Sequence, residues 1–144
     1  MNRTLGQQRA AYCLEKLEKL ACSRDEFKKL SAGLPAMIMQ NGFGQTLAFL
    51  AAKASETETH KEGDKTLKKI KFKKKDKHYA AFSIITGWLR KKEILPSLME
   101  SEKGLLEYIS GMEQEKYLRG QKETLAMLEW LKRYANAALF EEAK

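Results

Sequence analysis

Apolar residues recur at helical spacing along most of the chain, and they are densest between residues 34 and 50, LPAMIMQNGFGQTLAFL. This segment carries no charged residue and is interrupted once, at Asn41-Gly42. The apolar positions on the two sides of the interruption are Leu34, Met37 and Ile38, then Phe43, Leu47 and Leu50. Because each set keeps the spacing of a helix face, the pattern predicts two short helices that meet at a tight turn.

The chain up to this interruption predicts two helices, each with a capping box. Thr4 with Gln7 can cap a first helix that runs to about residue 21. Ser23 with Glu26 can cap a second helix that continues to the interruption. Pro35 lies inside this second helix, so the helix either kinks there or breaks near residue 34 and restarts.

Helical periodicity fails between residues 55 and 77, directly after a third helix that is predicted over residues 44–54. Threonine, glutamate, glycine and lysine dominate, and only Leu67, Ile70 and Phe72 interrupt the polarity. No part of the chain shows the alternation of a half-buried strand. We therefore expect residues 55–77 to form a long, flexible, lysine-rich loop.

Three further helices are predicted in the second half of the chain. Two cover about residues 79–92 and 101–111, and the last has roughly 28 residues with an apolar stripe from Tyr117 to Ala138. So wide a stripe must pack on more than one neighbour. The predicted fold class is all-α: a single domain over residues 1–144, built as a bundle of about six helices with the lysine-rich loop between the third and fourth.

Positive charge is concentrated in the predicted loop. The chain has a formal net charge of +8, and residues 61–77 alone hold nine lysines against three acidic residues. Such a run suits a polyanionic partner, because lysines that neutralise phosphates release condensed counterions. It equally suits a solvated loop without a partner, and the sequence leaves the two interpretations open.

Cysteine usage and the lack of a long apolar run indicate the cellular compartment of the protein. Cys13 and Cys22 lie nine residues apart in or beside one predicted helix, which suits buried free thiols in a reducing cytoplasm. No window approaches the roughly 18 consecutive apolar residues of a membrane span, and the chain shows no signal peptide. We expect a soluble cytoplasmic protein with no membrane partner.

No set of residues assembles a convincing catalytic or metal site. The two histidines, His60 and His78, flank the lysine-rich loop, where a general base would lack fixed geometry. A ribonuclease that uses His78 with Tyr79 or a neighbouring lysine is the alternative to two solvated loop histidines. The cysteines and histidines lack zinc-ligand spacing. We expect no enzyme activity, no cofactor, no metal and no small-molecule substrate.

Two patterns on the predicted helices admit a nucleic-acid role beside a structural one. Residues 41–46, NGFGQT, can offer helix-start amides to a phosphate, but they lack the P-loop lysine and the preceding strand. A helix-to-helix turn accounts for them better. Trp130 and Tyr134 lie four residues apart and can stack bases, although such a pair more often belongs to a core or a subunit contact.

The last predicted helix carries a second candidate basic surface, opposite its leucines. The cations on this face are Lys116, Arg119, Lys122 and Arg133. Ordered cations on a rigid helix can follow a phosphate backbone. Glu115, Glu123 and Glu129 lie close by, so the mixed face can also serve only to keep the helix soluble.

Two segments of the chain, LPAMIMQNGFGQTLAFLAAK and YLRGQKETLAMLEWLKRYANAAL, carry a resemblance to a known family. Their shared pattern consists of Leu34-Pro35, Asn41-Gly42, Leu47-Ala48-Phe49-Leu50 and Trp130-Leu131-Lys132-Arg133. In this pattern the chain resembles the small helical subunit of the type III-B CRISPR effector, the RNA-guided Cmr complex of prokaryotes. Both blocks occur in order, and the resemblance covers most of the chain outside residues 55–77.

The resemblance implies a non-catalytic, all-helical subunit that stacks beside the larger effector subunits and further copies of itself, and that lines the channel where guide RNA pairs with target RNA. The family pattern includes no fixed lysines in the middle loop, so a loop contact is inferred from charge alone. The residues predicted to contact RNA are Lys68, Lys69, Lys71, Lys73, Lys74 and Lys75 in the loop, and Arg90, Arg119, Lys122 and Arg133 on the later helices. The alternative is a free-standing helical adaptor that binds a protein partner and no nucleic acid.

Overall fold

The computed structural model of the protein describes residues 2–99, 101–137 and 139–140. Within these residues there are six helices and one two-stranded antiparallel sheet. The elements in chain order are α1 (Leu5–Glu18), α2 (Arg24–Asn41), α3 (Phe43–Ala54), β1 (Ser55–Glu62), β2 (Lys65–Phe72), α4 (Lys77–Lys91), α5 (Glu102–Ser110) and α6 (Gln114–Asn136). The six predicted helices are thus confirmed, and the prediction of an exclusively helical fold is wrong.

The predicted turn between the second and third helices is confirmed. α2 ends at Asn41 and α3 begins at Phe43, and Gly42 between them has a φ of +84°. Glycine adopts this left-handed region without the steric cost that a Cβ atom brings. Pro35 lies within an unbroken α2, so the alternative of a break near residue 34 is wrong.

The segment predicted as a flexible loop forms a β-hairpin. β1 and β2 pair in antiparallel register from Ser55 opposite Phe72 to Glu62 opposite Lys65. A two-residue connection, Gly63-Asp64, joins them, and Gly63 has a φ of +65°. Two runs separated by Gly-Asp are a recognised hairpin signal, which the high lysine content obscured. Residues 56–71 are all exposed, so the hairpin projects from the helical bundle.

The last helix lies against several others, as its wide apolar face predicted. α6 contacts α1, α2, α3 and α4, and its buried residues include Thr124, Met127, Leu128 and Leu131. It has 23 residues rather than the predicted 28, and Ala138 lies outside the described residues. The largest fully buried side chains of the core are Trp88, Phe27 and Phe43.

Both cysteines are free thiols. Cys13 is fully buried, and its thiol donates a hydrogen bond to the Met127 carbonyl at 3.5 Å. Burial raises the pKa of Cys13 to about 12, and Cys22 is half-buried with a raised pKa. Across the described ranges, every helix is too short or too polar to traverse a lipid bilayer.

Candidate nucleic-acid interface

The start of α3 is held by side chains from α6. The backbone N–H of Phe43 donates to Gln121 Oε1 at 3.1 Å, and that of Gly44 donates to the Tyr117 hydroxyl at 3.0 Å. Both amides are among those that a helix N-terminus leaves without an intrahelical acceptor. Because Gln121 and Tyr117 already accept hydrogen bonds from these two amides, the amides are not free to bind a phosphate. Residues 41–46 therefore form a helix-to-helix turn and not a phosphate-binding loop.

The start of α4 is capped by Asp76, which also fixes His78. Asp76 Oδ1 accepts the backbone N–H of His78 at 2.8 Å and lies 2.8 Å from its ring Nδ1. Burial raises the pKa of Asp76, but these bonds and the charge of Lys73 lower it more, so the net pKa lies below its ordinary value. His78 is half-buried and packs edge-on against Phe49, so the expectation of a solvated loop histidine is wrong for it.

His60, the second histidine, lies on exposed β1 opposite Leu67. It therefore belongs to a different element from His78. Among residues 2–99, 101–137 and 139–140, no three histidine, cysteine or acidic side chains are grouped as metal ligands.

Four of the six predicted loop lysines lie together in a cleft at the base of the hairpin. The cleft has a volume of about 820 Å³ and is lined by Lys71, Lys73, Lys74, Lys75, Phe72, Glu56, Asp76 and Glu102. A hydrogen bond joins its base to the helices: the Lys73 backbone N–H donates at 2.8 Å to the carbonyl of Ala54, the last residue of α3. Lys74 Nζ lies 6.0 Å from the centre of the Tyr79 ring. The cleft therefore combines a hydrogen-bonded base, a cluster of cations and aromatic surface.

The strand pairing divides the remaining hairpin lysines. On one face, Lys69 lies opposite Glu58, just as Lys71 lies opposite Glu56 and Lys65 opposite Glu62. Opposite charges across a strand pair attract one another and reduce the net field of that face. Lys68 lies on the other face, opposite Thr59. Lys73, Lys74 and Lys75 follow β2 and have no cross-strand partner, but Asp76 comes directly after them and lines the same cleft. Three consecutive lysines against this one acidic neighbour leave the turn with a net positive charge.

Arg90 lies apart from the hairpin lysines, at the C-terminal end of α4. Its Nη2 donates to the Met99 carbonyl at 3.0 Å, and the residue is half-buried. The guanidinium thus holds the connection that leads from α4 to α5. This position gives Arg90 a structural role in addition to any contact with RNA.

The predicted cations of α6 are exposed. Arg119, Lys122 and Arg133 all face solvent, and Arg119 and Arg133 each follow a glutamate by one turn, Glu115 and Glu129. Such an i, i+4 arrangement attracts the two charges weakly. Lys116 instead lies over the Tyr108 ring, 5.0 Å from its centre, and donates to the Tyr108 hydroxyl. The outer face of α6 is a mixed surface with Lys122 as its least compensated cation.

Trp130 and Tyr134 are half-buried and pack against the core. Their rings lie 5.7 Å apart and are tilted by 36°. Rings that are partly covered by the protein's own core have less face available for a base. The arrangement favours the structural interpretation of this pair.

Glu123 does not belong to the outer face of α6, where the sequence placed it. Its carboxylate accepts from Arg9 Nε at 2.7 Å, from Arg9 Nη2 at 2.9 Å and from Trp88 Nε1 at 3.0 Å. The bond from Arg9 is the main reason that the pKa of Glu123 lies below its ordinary value; burial opposes it and the Trp88 bond adds to it. This carboxylate ties α1, α4 and α6 together.

Replacing Glu123 with glutamine is expected to destabilise the fold by about 2 kcal/mol, because the guanidinium loses its ionic acceptor. The pKa of Glu123 is lowered on folding, so its contribution is present above the unfolded pKa of about 4.5 and is lost as pH falls through the folded value. Urea unfolding at neutral and acidic pH measures both effects. Glu107→Gln, at the exposed Lys103 pair, is the control and should cost less than about 0.5 kcal/mol. Equal losses in the two variants would contradict the role of this network.

Comparison with known proteins adds an independent finding. Residues 5–138 match the profile of the family described as CRISPR-associated protein (Cas_Cmr5). The chain is also 28% identical over 141 residues to a protein of Thermus thermophilus named CRISPR system Cmr subunit Cmr5, and the match covers 96% of this chain and 99% of that protein. Both matches span the hairpin as well as the helices.

Proposed function

The chain belongs to the Cas_Cmr5 family of CRISPR-associated proteins, and on this basis we propose that it is a non-catalytic small subunit of the type III-B effector complex that lines the guide and target RNA channel with basic surface. The observation that carries the proposal is the family match over nearly the whole chain, residues 5–138. The role is antiviral defence through an assembled ribonucleoprotein.

The hairpin-base cleft is the surface that we assign to RNA. Lys71, Lys73, Lys74 and Lys75 line it beside Phe72. Lysines of this kind bind phosphates electrostatically and without regard to sequence. That property suits a guided complex, in which base pairing reads the sequence. Arg119, Lys122 and Arg133 on α6 are assigned to a second, weaker contact.

The hairpin also supports assembly with other effector subunits. A two-stranded hairpin is at best marginally stable alone in water, and both of its edges carry unpaired backbone groups. Ile70 is 71% exposed and Leu67 is 45% exposed. Contact with a neighbouring subunit, or with another copy of this chain, would cover these side chains and stabilise the hairpin.

Copurification tests the proposed assembly. A tagged full-length chain, recovered from its own cells, is expected to bring down larger effector subunits together with RNA. Mass spectrometry of the proteins and labelling of the nucleic acid measure the two components. A stable complex with one unrelated protein, free of RNA, would instead support the adaptor alternative and overturn the proposal.

A further inference from the structure

A second basic groove lies between α2 and α6, on residues that are far apart in the sequence. It has a volume of about 360 Å³ and is lined by Lys28, Lys29, Ala32, Lys132, Arg133 and Asn136. Of its four cations only Arg133 was predicted to contact RNA. The signal in the sequence is a pair of consecutive basic residues on each of two predicted helices, at 28–29 and 132–133.

The groove exists because α2 and α6 pack against each other. Contacting helices lie about 8–10 Å apart, so long side chains that flank the contact on both helices reach toward one another. All four cations are exposed, and none of the lining residues is acidic. Asp25 lies 3.5 Å from Lys29 and compensates that one charge in an exposed pair. Glu129, one turn before Arg133 on α6, weakly attracts a second of the four charges. The groove therefore carries a net positive charge.

We propose that this α2/α6 groove binds the sugar-phosphate backbone of RNA. The groove presents cations on two sides and an amide at Asn136, with the aliphatic stems of the lysines as its apolar surface. A phosphate chain needs only such point charges along its path. An acidic protein segment would also be attracted, but specific protein partners fill buried apolar pockets with anchors, and here only Ala32 and side-chain stems are apolar. The inference rests on the proposed function for its choice of RNA as the polyanion.

The test compares two double variants of the full-length protein with equal loss of charge. Lys28→Ala with Lys132→Ala removes one cation from each side of the groove. Lys91→Ala with Lys103→Ala, at exposed positions on α4 and α5, is the matched control. Binding of a single-stranded RNA oligonucleotide is measured between about 50 and 200 mM salt. The groove variant should bind about tenfold more weakly at physiological salt and reduce the salt slope by about 1.4, and the control should match the wild type.

Two results would overturn the inference. The first is a groove variant whose RNA affinity and salt slope equal those of the control. The second is normal RNA binding with loss of an effector subunit on copurification, which would assign the groove to an acidic protein partner. Failure of the proposed function has a different signature: no effector subunit would then copurify with the wild-type chain, whatever the groove variant does.

Discussion

Replacing Gly42 with alanine should destabilise the protein by about 3 kcal/mol, because the new methyl group combines backbone strain with a steric clash. The residue has a φ of +84°, and a Cβ atom there would lie 2.7 Å from the Tyr117 hydroxyl oxygen. That hydroxyl accepts a hydrogen bond from the Gly44 amide. Moving the hydroxyl away would therefore also leave this amide, at the start of α3, without its acceptor. Thermal or urea unfolding measures the loss.

Gly33→Ala is the matched control for this prediction. Gly33 lies within α2, and a Cβ atom there would meet no other atom within 4 Å. Alanine in a helix interior is favoured over glycine by about 1 kcal/mol, so this variant should be more stable than the wild type. Adding Tyr117→Phe to Gly42→Ala should recover the steric part of the loss, and should leave the backbone part together with the cost of the lost acceptor for the Gly44 amide. A Gly42→Ala variant as stable as the wild type would contradict the observed turn.

Removing the three lysines that follow β2 should weaken RNA binding about fiftyfold at physiological salt and reduce the salt slope by about 2, since each contact with a single-stranded phosphate contributes about 0.7. The variant is Lys73→Ala, Lys74→Ala and Lys75→Ala together. All three side chains are exposed, and the Lys73 amide that bonds to Ala54 is retained, so the fold should persist. Filter binding or fluorescence anisotropy over a salt series measures the effect, and circular dichroism checks the fold.

A variant with the same charge loss elsewhere separates a local contact from a general effect of net charge. Lys19→Ala, Lys91→Ala and Lys103→Ala remove three exposed lysines from α4, α5 and the end of α1. This triple should bind RNA nearly as well as the wild type. Equal weakening of RNA binding in both triple variants would mean that net charge alone drives binding. Unchanged RNA binding in the first triple variant would mean that the hairpin-base lysines are only solvated and do not contact RNA.

The helices could be predicted closely from the sequence because their signals are local. Both hydrogen bonds of the Thr4–Gln7 capping box form, and Ser23 caps α2 through the Glu26 amide. The helical spacing of apolar residues placed α3, α4 and α5 to within about two residues of their observed ends. The hairpin was missed for the opposite reason. Its strands are exposed on both faces, so they lack the apolar alternation by which strands are usually recognised.

The candidate interface could be predicted only in part. The concentration of lysine in residues 61–77 is a property of the sequence and indicates a polyanionic partner. Which lysines act together depends on the hairpin register, which sets Lys69 opposite Glu58 and leaves Lys73, Lys74 and Lys75 beyond the paired strands. Likewise, Arg90 has its place at the Met99 carbonyl only through a connection that folds back on α4.

The number and approximate bounds of the helices, the turn at Gly42 and the excess of basic charge follow from the sequence alone, because each depends on residues within a few positions of one another. Which charged groups meet depends on the tertiary structure. Glu123 turns inward to Arg9, 114 residues away, and Lys28 shares a groove with Lys132. Such contacts follow from how helices pack, and packing depends on the shape of the whole core, which local spacing does not encode.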